Sequence, residues 1–277
     1  MKEKDNMTIY KVFKAILTPI YKLWYNPKII GKENIPKEGR FIIVGNHIHI
    51  MDQCNVIIST KRCLHYMAKK EYFDGKMAWF FRSCACIPVD RSKKDEDATH
   101  SAIEVLEKDE ALGLFPEGTR NGMKEERMKE LYDKYYTEEP ISYDKFIKKL
   151  KKNKTSFVNY LEELMEKNFI TRDEFIDNIF VSDEFLQMLI KDNRITLDEY
   201  YDHILLPLKF GAVSMAKKTN SVLIPFVITG DYKFRSKNLT IRIGKPIDVD
   251  EDLEKANEYL DDTMKQMIRE NHEMNGK

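Results

Sequence analysis

No run of 18 uncharged apolar residues occurs in the 277-residue chain, so no segment reads as a bilayer-spanning helix. An excess of either charge is missing too. Lys+Arg and Asp+Glu number 46 each, which removes any global electrostatic case for nucleic acid and makes any anion site local. Cysteine is sparse. Cys54, Cys63, Cys84 and Cys86 have no zinc-type spacing, and Cys84-Ala85-Cys86, in a strand-like run, reads as small buried residues rather than a redox pair. There is no Gly-rich phosphate loop and no Gly-x-Ser-x-Gly elbow, which argues against a covalent serine enzyme. The first eight residues are polar, and no small-residue cleavage site follows a long apolar run, so no secretory leader is expected.

What is present is enough apolar residue (42%) and aromatic residue (11%) to bury a core. Phe41-Ile42-Ile43-Val44-Gly45 has strand character and ends in a polar turn holding Asn46, His47, His49 and Asp52. With His47 in the turn and Asp52 in the first turn of a following helix, the carboxylate would hold one ring nitrogen and leave the other to take a proton.

Further strands are expected at Leu64–Ala68, Cys84–Val89 and Ala111–Phe115, separated by helical patterns. That alternation predicts an α/β fold. Four successive strand ends carry polar residues: His47/Asp52, Lys69/Lys70, Asp90/Arg91 and Glu117/Arg120. Open α/β sheets bind ligands at strand carboxyl ends.

The rhythm breaks at 122–206, which is charged and free of strand runs. A loose repeat there, starting at Ile141, Ile170 and Ile195, places Ser or Thr as an N-cap after each Ile, with an aromatic four positions into the helix. Two copies add Glu at the third helical position, a capping box. About four short helices are expected, forming a surface excursion or a partner module. The α/β pattern resumes with a helix to Lys217 and a strand Val222–Ile228. The proline inside that strand, Pro225, predicts an edge or irregular position. A strand at Leu239–Ile243 and a terminal helix over 250–271 follow.

Residues 8–25 are mostly apolar and aromatic, with Lys11, Lys14 and Lys22 among them. They read as a helix in a membrane interface, lysines toward anionic lipid, or as a helix on the protein's own core. Pro19 would bend or split it.

A His–carboxylate pair without an adjacent nucleophile suits general-base activation of a substrate hydroxyl. Arg91 and Arg120 suit a phosphate or carboxylate. The alternatives are a structural turn histidine and a metal-dependent hydrolase using His47, His49 and Asp52.

Four ordered segments, Asn46-His47-x4-Asp52, Val89-Asp90-Arg91, Phe115-Pro116-Glu117-Gly118-Thr119-Arg120 and Leu223-Ile224-Pro225, resemble the motifs of the lysophospholipid acyltransferase family, which includes 1-acylglycerol-3-phosphate acyltransferases. Gly31-x-Glu33-Asn34-Ile35-Pro36, Phe210-Gly211-Ala212 and Ile243-Gly244-Lys245-Pro246 extend the likeness, which covers roughly 29–121 and 207–247.

The resemblance implies a mixed sheet flanked by helices. Its parts would be an N-terminal membrane-contacting helix (1–30), a catalytic domain (31–121 and 207–277) and a helical insertion (122–206). His47 would be the base and Asp52 its orienting partner. Arg91, Glu117, Gly118, Thr119 and Arg120 would hold the substrate phosphate. Leu223, Ile224 and Pro225 would wall the acyl chain. The donor would be an acyl-CoA or acyl carrier protein thioester, and the acceptor lysophosphatidic acid or another lysophospholipid. The protein would work at the cytoplasmic face of the membrane with no cofactor, no metal and no nucleic acid. Two positions depart from the pattern: His49, where a small polar residue is usual, and Ala85, where glycine is common.

Overall fold

The computed structural model describes residues 3–90, 95–249 and 252–276. The chain divides into two compact units, one of residues 1–118 and 208–277 and one of residues 119–207.

The first unit is built on a seven-stranded sheet. Its strands are β1 (Lys28–Ile30), β2 (Phe41–Gly45), β3 (Leu64–Lys69), β4 (Ile87–Val89), β5 (Ala111–Leu114), β6 (Val222–Thr229) and β7 (Thr240–Ile243), in the order β1-β7-β6-β2-β5-β3-β4. All pairings are parallel except β6 with β7. From β2 the chain moves out to β3 and β4, returns as β5, and resumes on the other side of β2 as β6. The strand order therefore reverses at β2, where open α/β sheets leave a ligand crevice.

The central strands are buried on both faces, which explains their unbroken apolar runs. Ile43, Phe226 and Ile228 lie on one face with Tyr10 of α1 (Glu3–Tyr25) and with Val56 and Ile57 of α2 (Asp52–Ser59). A short helix α3 (Ala78–Ser83) packs on α1 through Phe80 and Phe13. The second layer is formed by α4 (Glu96–Glu107) and, beyond the second unit, two further helices at Gly211–Thr219 and Leu253–Met274.

Several expectations are corrected. Pro225 takes the irregular rather than the edge position expected of it: it lies in β6, an interior strand between β7 and β2. The sheet accommodates it with a bulge. Phe226 pairs with Ile243, whereas Leu223 pairs with Ile247, so one extra residue faces Pro225, and its carbonyl accepts the Gly244 N–H. The missing proline donor falls where the ladder is reset by one residue.

Pro19 does not split α1, which is continuous. Ala15, whose carbonyl loses its donor, is exposed and open to water. The third strand begins at Ile87 rather than Cys84, because Ala85 adopts a left-handed φ of 55° and makes a turn. The three-residue β1 carried no visible pattern.

The second unit contains six α-helices, not four: α5 (Glu125–Tyr135), α6 (Tyr143–Leu150), α7 (Thr155–Glu166), α8 (Arg172–Asn178), α9 (Ser182–Lys191) and α10 (Leu197–Asp202). Thr171 and Thr196 form the two capping boxes with Glu174 and Glu199. Ser142 occupies the cap position of α6 without a side-chain bond. Ile170, Phe175, Ile195 and Tyr200 are all buried. In the first unit the helices at Gly211–Thr219 and Leu253–Met274 are α11 and α12. The Lys209 N–H donates to the Pro116 carbonyl at 2.9 Å, tying the chain's return to its point of departure.

Candidate active site

Register brings the polar strand ends together. Val44 pairs with Leu114 and with Pro225, so three residues further on His47, Glu117 and Ile228 stand side by side at the carboxyl edge. Glycines let the neighbouring layers close. A Cβ on Gly45 would collide with the Phe226 ring, and one on Gly113 with the Tyr66 ring.

Asn46 fixes the start of the turn. Its side-chain amide donates to the Ile228 carbonyl at 2.9 Å, and its carbonyl accepts the Ile228 N–H at 2.7 Å. Next, the His47 N–H donates to Glu117 Oε1 at 2.8 Å. Asp52, the first residue of α2, is fully buried and points back into the turn. Its Oδ2 accepts from His47 Nδ1 and from the backbone N–H groups of Ile48 and His49, each at 2.7 Å. Charge-assisted bonds to a helix-start carboxylate are the strong kind.

Because Asp52 accepts a hydrogen bond from Nδ1–H, Nε2 is the basic nitrogen of the neutral ring. The ring stacks on Phe115 at a centroid distance of 4.1 Å, and the His47 side chain keeps 16% of its surface exposed while Asp52 keeps none. The histidine is thus reachable and its partner is not.

Two participants were not visible in the sequence. Tyr232, in the loop between β6 and β7, donates its hydroxyl to Asp52 Oδ1 at 2.5 Å and accepts from Asn55 Nδ2 at 2.7 Å. Burial and the Asp52 charge push its phenol well above the usual range, so it stays a donor. The only sequence signal was its place just past a strand end beside β2. Lys209 is the second. Its side chain crosses Gly118, whose φ is +70°.

His49 does not join His47 and Asp52 as a metal ligand. Its ring stacks on Tyr232 at 4.1 Å, its Nδ1 accepts the Met51 N–H, and Asp52 Oδ2 already holds three donors. Among the described residues no group of three His, Cys, Asp or Glu side chains is arranged to hold a metal ion.

Arg91 lies outside the described residues. Glu117 and Gly118 end the first unit, and Thr119 and Arg120 open the second. Leu223, Ile224 and Pro225 are buried within β6. Pro225 packs toward Gly244 and Met267 of α12, whereas its neighbour Phe226 packs on Phe115 beneath His47.

Helix α1 has two characters. Tyr10 and Tyr21 are buried, and Lys14 Nζ donates to the Thr60 and Arg62 carbonyls, so this lysine anchors the helix to the protein rather than facing outward. The opposite side exposes Val12, Ile16, Ile20, Leu23 and Trp24, with Trp79 and Phe234 also exposed. Trp24 meets Phe234 at 5.1 Å. No described helix is long and apolar enough to cross a membrane.

Comparison with known proteins gives a consistent result. Over 114 residues the chain is 32% identical to a 1-acyl-sn-glycerol-3-phosphate acyltransferase of Bacillus subtilis, covering 40% of this chain and 57% of that protein. Over 101 residues it is 33% identical to a protein of the same name from Borreliella burgdorferi, covering 34% and 38%. The matches thus span about half the length of these curated relatives or less. The crystal structure of the 1-acyl-sn-glycerophosphate acyltransferase PlsC from Thermotoga maritima shares the fold, with a TM-score of 0.58 at 17% identity over 100% of this chain and 85% of that one. Residues 26–229 match the acyltransferase family as a whole. With the motif order, the mixed sheet and this match across most of its length, the chain belongs to the acyltransferase family.

Proposed function

We propose that the protein transfers a fatty acyl group from a thioester to the free hydroxyl of lysophosphatidic acid, giving phosphatidic acid. The observation that carries this reading is the oriented His47, its Nδ1 held by Asp52 and its side chain partly exposed at the strand edge. The names of the two curated relatives support the choice of acceptor.

In this mechanism Nε2 takes the proton of the acceptor hydroxyl as its oxygen attacks the thioester carbonyl. The C–O bond forms and a tetrahedral oxyanion results. Its collapse breaks the C–S bond, and the imidazolium returns the proton to the departing thiolate. No acyl-enzyme is required. Asp52 keeps its charge throughout and stabilises the imidazolium. Arg91, Gly118, Thr119 and Arg120 bind the acceptor phosphate, the two guanidinium groups matching its charge. Glu117 holds the backbone of His47. The acyl chain lies along the apolar layer bounded by β6, including Leu223, Ile224 and Pro225.

The exposed apolar row of α1, from Val12 to Trp24, supports a peripheral contact with the cytoplasmic face of a membrane, where the lipid acceptor resides. The test is an acyl-transfer assay over lysophosphatidic acid and other lysophospholipids, with coenzyme A and acyl carrier protein thioesters as donors. Transfer to lysophosphatidic acid that falls by about 10² to 10⁴ in His47→Ala supports the reading. Full activity in that variant refutes it.

A further inference from the structure

Asp52 holds His47 through Oδ2, and its second oxygen is also engaged. Oδ1 receives the hydroxyl of Tyr232, a residue 180 positions away. We infer that Tyr232 is a positioning residue for the reaction. It completes a His47–Asp52–Tyr232 line in which the phenol sets both the rotation of the Asp52 carboxylate and the charge that the carboxylate presents to the imidazole. This rests on His47 being the base.

The tyrosine is itself held on every side. Asn55 donates to its oxygen at 2.7 Å. The His49 ring stacks on one side of it at 4.1 Å, and Tyr25 of α1 meets it edge-on at 5.5 Å. Tyr21 of α1 lies close by, its own hydroxyl donating to the Met51 carbonyl at 3.4 Å. The loop that carries it is pinned by the Arg235 N–H, which donates to the Trp24 carbonyl at 2.6 Å, and by Gly230, where a side chain would strike the Asn238 carbonyl. A phenol clamped by α1, α2 and the turn between β2 and α2 has little freedom to rotate away. His49, the departure from the family pattern, therefore acts as a plate against which Tyr232 rests.

A buried carboxylate that accepts from four donors cannot give its full charge to any one of them. The Tyr232 bond draws charge toward Oδ1 and away from the oxygen that faces His47. The other titratable groups around the pair are Tyr21, Tyr66, Cys54, His49 and Glu117. Burial holds the phenols of Tyr21 and Tyr66 neutral and pushes the Cys54 thiol up to about 12, so none of these three titrates near neutral pH.

The test compares wild type with Tyr232→Phe and with 3-fluorotyrosine at position 232, in full-length protein, by the pH profile of kcat/KM for acyl transfer to lysophosphatidic acid. Phenylalanine keeps the stacking and removes the donor. We expect kcat to fall about tenfold, from loss of a hydrogen bond to a charged group, with KM changed less than about twofold. The acid limb should move to higher pH, because the undivided Asp52 charge then stabilises the protonated ring more strongly. Fluorotyrosine is a stronger donor and should move the limb the other way while preserving the packing.

A limb that stays fixed in both variants, or moves in the opposite sense, overturns the inference. Inactivity of His47→Ala in the same assay separates that outcome from failure of the acyltransferase reading, in which His47→Ala would remain active.

Discussion

Asn46 pairs with Ile228 as one backbone pairs with another: the side-chain amide gives and receives a hydrogen bond with the same residue, extending the β2–β6 ladder one step beyond the end of β2. Both groups of Ile228 are buried. Asn46→Leu would strand them, at a cost of about 2–4 kcal/mol. Urea unfolding should show that loss. Activity should fall as well in the molecules that remain folded, because His47 is the next residue.

The outer row of α1 predicts a separation of binding from folding. Ile16, Ile20 and Leu23 are each more than half exposed. Replacing all three with serine removes apolar surface that would enter a bilayer, at roughly 25 cal/mol per Å². Sedimentation with anionic vesicles should show at least about a tenfold weaker partition. The melting temperature should change little, since most of each of these residues already lies in solvent. Equal partition of the variant and wild type would remove α1 as the docking element.

Ala85 sits at φ 55°, in the left-handed region. The penalty for a Cβ there is about 1–2 kcal/mol, and glycine returns about 0.4–1 kcal/mol of it as unfolded-state entropy. Ala85→Gly should therefore stabilise the protein by about 0.5–1 kcal/mol, measured by thermal or urea unfolding. This conformation also explains why glycine is common at the position.

In the second unit, Arg194 and the Thr171 backbone hold the Glu174 carboxyl at about 2, well below its ordinary 4.5. A carboxylate depressed by folding contributes stability that is complete above its unfolded value and fades as pH falls through the folded one. Far-UV circular dichroism melts of wild type and Glu174→Gln should differ near neutrality. The difference should close as pH falls from about 4.5 toward about 2.

The sheet was legible because β2 and β6 are buried on both faces and so read as unbroken apolar runs, and because Glu117 and Asp52 follow strand ends at short range. Pairing across long range was not. Nothing local shows that Ile228 would meet Asn46, or that Tyr232 would reach Asp52, since those contacts exist only once β6 docks beside β2. Pro225 was half legible for a related reason. Its missing donor predicts an edge or an irregular position, and which of the two holds depends on a bulge in the facing chain near Gly244. The caps at Thr171 and Thr196 were legible because a capping box closes within four residues. Helix number in the same unit was not, since short helices without caps leave no mark.

The hydrogen bond between Lys209 and Pro116 carries a consequence for ancestry. Departure and return of the chain lie one peptide bond's reach apart, so the stretch between them can lengthen, shrink or be exchanged without shifting the register of β5 or β6 against β2. A gene could gain or lose such a passage in one event and still encode a sheet that closes. The helical passage is therefore open to rapid divergence, while the strand edge holding His47 stays bound by its geometry.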